Sequence, residues 1–252
     1  MTATYVDVGT AKPFFHPVTT PSGRCLTCAR PDDHPWHLGL WFAVKFVNAD
    51  NFWEEIEPFG TVVSRTPGSA DAVLDWVTPD GQHPLIEHRT VATWLDRTAT
   101  CVEWHIRLTA TVNVRLDCTP YNGVWGGYGG LAFRGTGAWA NTAILLAGES
   151  MPVERVAGRR ATWCLLASEE AGVLLLDHPG NPRHPTPWYG STRNPIYGDD
   201  PWSNFLNAAF LFDEPLALGP WETLDIRHRV LVHDGRFTPA ECESRWEAFA
   251  GA

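Results

Sequence analysis

The 252-residue sequence lacks a long apolar run, a cluster of basic residues and a secretion signal, and each absence excludes a class of protein. No apolar run approaches the roughly 18 residues that a membrane-spanning helix needs. A net charge of −10 without a basic run makes nucleic acids and anionic membranes poor partners. Residues 1–10 include Asp7 and have neither the basic start nor the apolar segment of a signal peptide. We therefore expect a soluble cytoplasmic protein that binds a small molecule, alone or as a homo-oligomer.

The six cysteines do not form the pattern of a disulfide scaffold in a chain of this length. Cys25 and Cys28 make a lone C-x-x-C motif without a second pair. A structural zinc site would need two more ligands, which His34 and His37 could supply only if their loop folded back. The sequence therefore favours a reduced pair of cysteines.

Tryptophan is unusually frequent, with 13 residues in a chain that is otherwise of ordinary globular composition. Indole rings bury a large area, and they also form flat platforms under sugar rings and other planar ligands. Any single tryptophan is best explained as a core residue. This explanation is harder to accept for all thirteen, so the sequence favours an aromatic-lined binding site.

Alternating polarity predicts long antiparallel strands. From 101 to 116 every even-numbered residue is apolar, while the odd-numbered residues are mostly polar. This period of two is typical of a strand with one buried face. At about 3.3 Å per residue the segment would span roughly 50 Å, so we expect it to bend, carry a bulge or divide into two strands. The pattern returns at 224–232, where His228 falls on the apolar face and is expected to be a core histidine.

One helix is predicted, in the last part of the sequence. Residues 238–241, Thr-Pro-Ala-Glu, form a capping box with proline at the first helical position. Cys242, Trp246 and Phe249 mark an apolar face that would cover a sheet. No linker or internal repeat divides the chain. We therefore predict an all-β fold, a large antiparallel curved β-sandwich with a short C-terminal helix, as a single domain over residues 1–252.

The segment from residue 32 to 41 reads Asp-Asp-His-Pro-Trp-His-Leu-Gly-Leu-Trp and concentrates polar and aromatic groups. It places His34 and His37 beside Asp33 in a loop that leads into a strand, with Trp41 at its end. Imidazole titrates near neutral pH, so two histidines beside a carboxylate are candidates for acid/base groups or for ligands. The alternative is a polar turn whose histidines only bind neighbouring backbone.

A glycine-rich segment, residues 123–130, contains Trp125 and Tyr128. It lacks the Gly-Lys-Ser/Thr ending of a phosphate-binding Walker loop, and strands rather than a helix are expected after it. Glycine here would let the backbone approach a ligand closely, with the two aromatic rings as walls. The sequence shows no cofactor-binding motif, and our first hypothesis involves neither a cofactor nor a metal.

Two further segments carry polar groups. Residues 177–188 contain four prolines and form a stiff loop, a property that suits a preorganised site. The side chains that this loop offers are His178, Asn181, Arg183, His184 and Trp188. In residues 85–89, Glu87 and Arg89 share one strand face and His88 lies on the other, so either face could supply a general base.

Six motifs in this sequence carry a resemblance to a known family. They occur in the family's order at 17–23, 33–43, 51–53, 130–134, 177–188 and 229–235. Through them the chain resembles an uncharacterised bacterial family that carries the label "methane oxygenase PmoA". After Trp188 that family usually continues with a histidine, an arginine and a Tyr-Gly pair, whereas this chain continues with Tyr189, Gly, Ser, Thr and Arg193.

The resemblance implies a fold more than a reaction. It implies a β-sandwich similar to those of sugar mutarotases, in frequent company with sugar-modifying oxidoreductases. A true methane monooxygenase subunit spans a membrane, and this sequence has no segment long enough to do so. The label is therefore not taken as an activity of this chain.

We expect a carbohydrate-active enzyme of the epimerase, mutarotase or lyase kind. Such chemistry needs groups that remove and return a proton, and a platform under the sugar ring. The candidate catalytic residues are His34, His37, His178, His184, Asp33 and Glu87. The candidate substrate-binding residues are Trp41, Trp125, Tyr128, Arg134, Asn181 and Trp188. This prediction assumes that segments 32–41 and 177–188 converge at one end of the sandwich.

Two alternatives remain open. A metal-dependent oxygenase or hydrolase would use His34, His37 and one of His178 or His184 with a carboxylate, a set of ligands that suits iron. A non-catalytic sugar-binding module would need the aromatic platforms but not the histidines. Substitution of His34 and His178 separates the two, because an enzyme would lose turnover whereas a sugar-binding module would keep most of its affinity.

Overall fold

The computed structural model describes residues 2–120, 127–193 and 202–251. Within these ranges the chain forms nineteen strands, numbered here in chain order, and one helix. The strands pair antiparallel in three sheets. The prediction of an all-β sandwich with a short C-terminal helix is confirmed.

A seven-stranded sheet, called the front sheet below, carries the segment that contains His34 and His37. Its strands, in spatial order, are β1 (Ala3–Val6), β2 (Phe14–Val18), β3 (Leu40–Val44), β11 (Gly129–Arg134), β17 (Trp202–Ala208), β16 (Pro187–Arg193) and β13 (Arg155–Arg160). Alternate residues of its strands face opposite ways. Phe42, for example, lies in the main core, whereas Trp41 packs in a separate cluster on the outer face.

An eight-stranded sheet, called the back sheet, forms the other layer of the sandwich. Its strands, in spatial order, are β12 (Ala143–Leu146), β14 (Trp163–Ala167), β15 (Ala171–Asp177), β19 (Thr223–Asp234), β9 (Ala99–Ala110), β8 (Leu85–Leu95), β7 (Ala72–Val77) and β6 (Thr61–Ser64). A four-stranded sheet adds β18 (Leu216–Leu218), β10 (Val114–Asp117), β4 (Phe46–Val47) and β5 (Asp50–Asn51).

The main core lies between the front and back sheets. Phe42 and Phe133 of the front sheet belong to the same buried cluster as Trp104 and Val230 of the back sheet. Two smaller clusters lie on the outer faces of the sheets. One is on the back sheet under the helix, and the other is on the front sheet under the segment that contains His34. The molecule therefore has two separate surfaces on which loops can build a site.

Segment 101–116 divides into two strands. β9 ends at Ala110 and β10 begins at Val114, and Val112 between them is 50% exposed. The even-numbered residues of β9 face the main core, as the alternation predicts. His228 on β19 is buried, and its Nδ1 donates to the carbonyl oxygen of Leu176 at 3.2 Å. The prediction of a core histidine is therefore confirmed.

The predicted helix is α1 (Pro239–Ala250). Thr238 accepts a hydrogen bond from the backbone N–H of Glu241, whose side chain accepts from the backbone N–H of Thr238, so the capping box is present. Cys242 and Phe249 are buried against the outer face of the back sheet. With twelve residues, α1 is too short to cross a membrane, and the described residues contain no other helix.

Candidate active site

The outer face of the front sheet carries a cluster of aromatic rings. Trp41 on β3, Phe205 on β17 and Tyr189 on β16 project to this face, because the residues next to them on each strand face the core. Tyr128, just before β11, stacks on Trp53 with a ring centroid distance of 5.1 Å. The cluster gives this face a rigid apolar surface on which a polar loop rests.

The loop before β3 folds over the aromatic cluster as a tight turn. The backbone N–H of Arg30 donates to the carbonyl oxygen of His37 at 2.7 Å, and the N–H of His37 donates to that of His34 at 2.9 Å. The His37 ring stacks on the His34 ring at 4.5 Å and on the Phe205 ring at 4.9 Å. Both histidines of the segment are therefore brought together at one position on the sheet.

Arg134, the last residue of β11, joins the loop to the sheet. Its Nη2 donates to both carboxylate oxygens of Asp33 at 2.9 Å, and its Nη1 lies 3.4 Å from Nδ1 of His37. The side chains of Arg134 and Asp33 are 7% and 13% exposed. A guanidinium that binds both oxygens of a carboxylate fixes the position of that carboxylate as well as its charge.

Asp33 also binds His34, with 3.0 Å between a carboxylate oxygen and Nδ1. Burial alone would raise the pKa of Asp33, but hydrogen bonds from His34 and Arg134 and the charge of Arg134 lower this pKa to about 2. The carboxylate is therefore ionised at neutral pH and can only accept hydrogen bonds. It follows that Nδ1 of His34 donates, so that the lone pair lies on Nε2 in whichever molecules carry this ring in its neutral form.

His37 is 2% exposed and lies between cationic groups. Burial, the neighbouring His34 and the positive charges of Arg134 and Lys12 lower the pKa of His37 well below its ordinary value. This ring is therefore neutral at physiological pH. The two adjacent histidines thus have different environments, because only His34 is hydrogen-bonded to a carboxylate.

Two further cations near the site are paired with carboxylates. Lys45 forms a buried ion pair with Glu54. Nζ of Lys12 donates to the carbonyl oxygen of Trp53 at 2.9 Å and lies 3.4 Å from Glu55. Burial lowers the pKa of Lys12 to about 8. Each of these cations therefore has a carboxylate partner, as Arg134 does.

A narrow cavity of about 20 Å³ opens beside these groups, enough for about one water-sized group. It is lined by His34, His37, Tyr128, Arg134, Tyr189, Ser191, Ser203 and Phe205. The structure thus brings together His34, His37, Tyr128 and Arg134, four of the residues that the sequence predicts. Asp33 joins them through its hydrogen bonds.

Other predicted residues lie elsewhere. Trp41 is fully buried beneath the cavity, with its ring centroid 5.2 Å from that of His37, so its faces are covered. Trp188 lies in the main core and donates from Nε1 to the carbonyl oxygen of Ala161. Glu87 is also fully buried and accepts from Trp76 and Arg89. Trp125 lies outside the described residues.

The loop at 177–188 is organised around a fully buried carboxylate. Asp177 accepts from Nδ2 of Asn181 at 2.7 Å, from Nδ1 of His184 at 2.7 Å and from the backbone N–H of Thr186 at 2.9 Å. Nδ1 of His178 accepts from the backbone N–H of Gly180. His184 is therefore held within the loop, whereas Asn181 also exchanges two hydrogen bonds of 2.7 Å with the backbone of Arg227 on β19.

The loops at 32–41 and 177–188 do not converge, contrary to the assumption made from the sequence. The second loop enters β16 at Pro187, whereas Tyr189 and Ser191, further along the same strand, line the cavity. The second loop packs instead under α1, where Trp246 stacks on His184 at 6.1 Å. The reason is topological, because the loop at 177–188 connects the back sheet to one end of β16 and the cavity lies towards the other end.

In residues 2–120, 127–193 and 202–251 no three His, Cys, Asp or Glu side chains are grouped as metal ligands. Both oxygens of Asp33 already accept from Arg134, and a cation would have to compete with that guanidinium. The thiol of Cys25 donates to the carbonyl oxygen of Thr27 at 3.4 Å, and the reduced state of Cys25 and Cys28 stays a prediction.

Four residues that line the cavity were not predicted as site residues: Tyr189, Ser191, Ser203 and Phe205. Tyr189 and Ser191 are alternate residues of β16 and therefore share a face. Their positions could be inferred from the alternation once Trp188 is placed in the core. Ser203 and Phe205 share a face of β17, but only the pairing of Phe205 with Ser191 brings that face to the cavity.

The fold and the site together define an all-β sandwich with a histidine–carboxylate cluster on an aromatic sheet face. The chain belongs to a family described as a family of unknown function (DUF6807), whose model matches residues 2–247. No curated protein matches the chain. The family match names no activity and gives no support to a methane oxygenase label.

Proposed function

We propose that the cavity beside His34 is the active site of an enzyme that moves a proton on a small, polar, sugar-like substrate. The reaction would be of the epimerase, mutarotase or lyase type. The observation that carries this proposal is the hydrogen bond between Asp33 and His34 at the cavity, with Arg134 on the same carboxylate. A histidine held by an ionised carboxylate is a common arrangement for a general base.

Each residue has a chemical role in this proposal. His34 removes a proton through Nε2 and returns it, while Asp33 orients the ring and stabilises its charged form. Arg134 keeps Asp33 ionised and in place. Tyr128 and Phe205 form the aromatic walls against which the carbon skeleton of a sugar can pack. Ser191 and Ser203 lie beside them, and their hydroxyl oxygens can accept from a substrate hydroxyl group.

The test is proton exchange on a panel of aldo- and keto-sugars in deuterated water, followed by NMR, together with polarimetry for mutarotation. We expect the His34→Gln variant to lose about 100-fold or more of the wild-type rate, because the proton-transfer group is absent. The matched control is His178→Gln, which alters the second Asp-His-Pro sequence and should keep the wild-type rate.

Three outcomes would contradict the proposal. Wild-type protein that turns over no member of the panel is not this enzyme. Equal loss of rate in both variants would mean that the effect is not specific to the cavity. Sugar binding without turnover, unchanged by His34→Gln, would identify a non-catalytic sugar-binding module instead.

A further inference from the structure

His37 carries a buried hydrogen-bond donor that no described residue satisfies. Arg134 lies 3.4 Å from Nδ1, and a guanidinium can only donate, so Nδ1 accepts. The proton of the neutral ring is therefore on Nε2. Nε2 is buried and has no hydrogen-bond partner within the described part of the chain. His37 lines the cavity, so this donor belongs to the site.

The surrounding groups are of the same kind. The ring centroids of Trp41 and Trp53 lie 5.2 and 6.3 Å from that of His37, and both tryptophans are fully buried. Their indole N–H groups, like Nε of Arg134, have no acceptor among the described residues. Indole and guanidinium nitrogens donate and cannot accept. The two tryptophans do not line the cavity, so the unmatched donors on its lining residues are Nε2–H of His37 and Nε–H of Arg134.

The chemistry of an acceptor for these donors follows from charge and space. The cavity admits about one water-sized group, which suits a single oxygen atom. A second carboxylate would lie close to Asp33 and be repelled by it, since Arg134 is already paired with that group. A hydroxyl group would add a further hydrogen-bond donor to a site whose unsatisfied groups are already donors. A carbonyl oxygen accepts only, and it is neutral.

We propose that the site binds its substrate through a carbonyl oxygen, with Nε2–H of His37 as the donor, so that the substrate is a hydroxyketone or hydroxyaldehyde. This inference rests on the proposed function and narrows its substrate class. A neutral imidazole that donates to a carbonyl can stabilise the charge that develops on the oxygen during proton abstraction.

The proton transfer needs no further reactant. Nε2 of His34 takes a proton from the carbon next to the carbonyl, so that a C–H bond breaks and an N–H bond forms. The electron pair of the C–H bond forms a C=C bond, and the carbonyl π pair moves to the oxygen, which His37 stabilises. Return of the proton to the opposite face of the same carbon restores the carbonyl and gives the epimer. Delivery of the proton to the former carbonyl carbon gives the isomer, because the proton of the neighbouring hydroxyl group then passes to the former carbonyl oxygen and the new carbonyl forms at the neighbouring carbon. The stacking of His34 on His37 at 4.5 Å places both groups at one substrate.

The first experiment measures the tautomer of His37 in the ligand-free protein by ¹⁵N NMR at pH 7. We expect a neutral ring protonated on Nε2. A ring protonated on Nδ1, or a charged ring, would overturn the inference before any ligand is added.

The second experiment compares ligands that differ only at the carbonyl: dihydroxyacetone with glycerol, and erythrulose with erythritol. We expect NMR titrations to show that each carbonyl compound that binds has an affinity about tenfold higher than that of its alcohol. The alcohol adds a hydrogen-bond donor to a site whose unsatisfied groups are already donors. Equal affinity within a pair would overturn the inference but not the proposed function. Failure of every compound to bind would overturn both.

The variant test uses His37→Phe, which keeps the stacked ring and removes the donor, with His105→Phe on the back sheet as the control. We expect His37→Phe to unfold at an unchanged or higher temperature and to lose the preference for the carbonyl compound. The control should keep that preference. His37→Gln, which restores an N–H donor, should recover part of it. A preference for the carbonyl compound that survives in His37→Phe would overturn the inference. If that variant does not fold, the comparison of ligands on the wild-type protein tests the inference.

Discussion

The tripeptide Asp-His-Pro occurs twice in this chain, at residues 33–35 and 177–179, and the two copies have different surroundings. Asp33 is bound by Arg134, which lies on another strand and lines the cavity. Asp177 is fully buried and is bound largely by donors of its own loop. A carboxylate held from within its loop shapes that loop, whereas one held by a distant cation can orient a group at a cavity.

The largest expected effect is on the second copy. Asp177→Ala leaves buried donors of Asn181, His184 and Thr186 without an acceptor, and should lower the free energy of unfolding by about 3 kcal/mol. Urea unfolding followed by tryptophan fluorescence measures this loss. A change below about 1 kcal/mol would show that water replaces the carboxylate, so that the loop does not depend on it.

The next effect concerns the first copy and depends on pH. The pKa of Asp33 is lowered from 3.8 to about 2 in the folded protein, so the unfolded chain binds its proton first as the pH falls. Stability from this group is therefore complete above pH 5 and is lost as the pH falls towards 2. Relative to Asp33→Asn, the wild type should be more stable by about 2 kcal/mol at pH 7.

Urea unfolding of both proteins at several pH values checks this prediction. Other acidic groups, such as Asp96, titrate in both proteins and cancel in the difference. The difference should shrink towards zero near pH 2. A difference that is constant over this range would show that Asp33 does not owe its stabilising effect to its charge.

The smallest expected effect is that of a substitution in helix α1, which contacts the loop at 177–188. Thr238→Ala removes the N-cap of α1 and should cost about 1 kcal/mol. Because Trp246 of α1 donates to the carbonyl oxygen of Asp177 at 2.8 Å, the amides of 177–186 should exchange with solvent faster. Hydrogen exchange of 30–38 should stay unchanged. Equal acceleration in both loops would mean that they are one cooperative unit.

Much of the fold could be predicted from the sequence because its signals are local. The alternation over 101–116 depends only on which face of a strand is buried, and the capping box at 238–241 involves hydrogen bonds three residues apart. The break near Val112 could not be placed, since apolar residues continue through it and only the sheets show where pairing changes.

The site could be predicted only where one segment contains it. Asp33, His34 and His37 were found because they are neighbours in the chain. Arg134 was suggested by a family motif, and its contacts depend on the pairing of β11 with β3. Phe205 required the pairing of β16 with β17, which no local pattern gives.

The paired charges around the cavity have a consequence for how a ligand arrives. Arg134, Lys45 and Lys12 each face a carboxylate, so their fields largely cancel a few ångströms away. The chain as a whole carries a net charge of −10, and its long-range field repels anions at low ionic strength. A neutral ligand should therefore associate at a rate that salt leaves unchanged, whereas an anionic one should associate faster as salt is added. The ionic-strength dependence of the association rate thus reports whether a ligand under test reaches the cavity as a neutral molecule or as an anion.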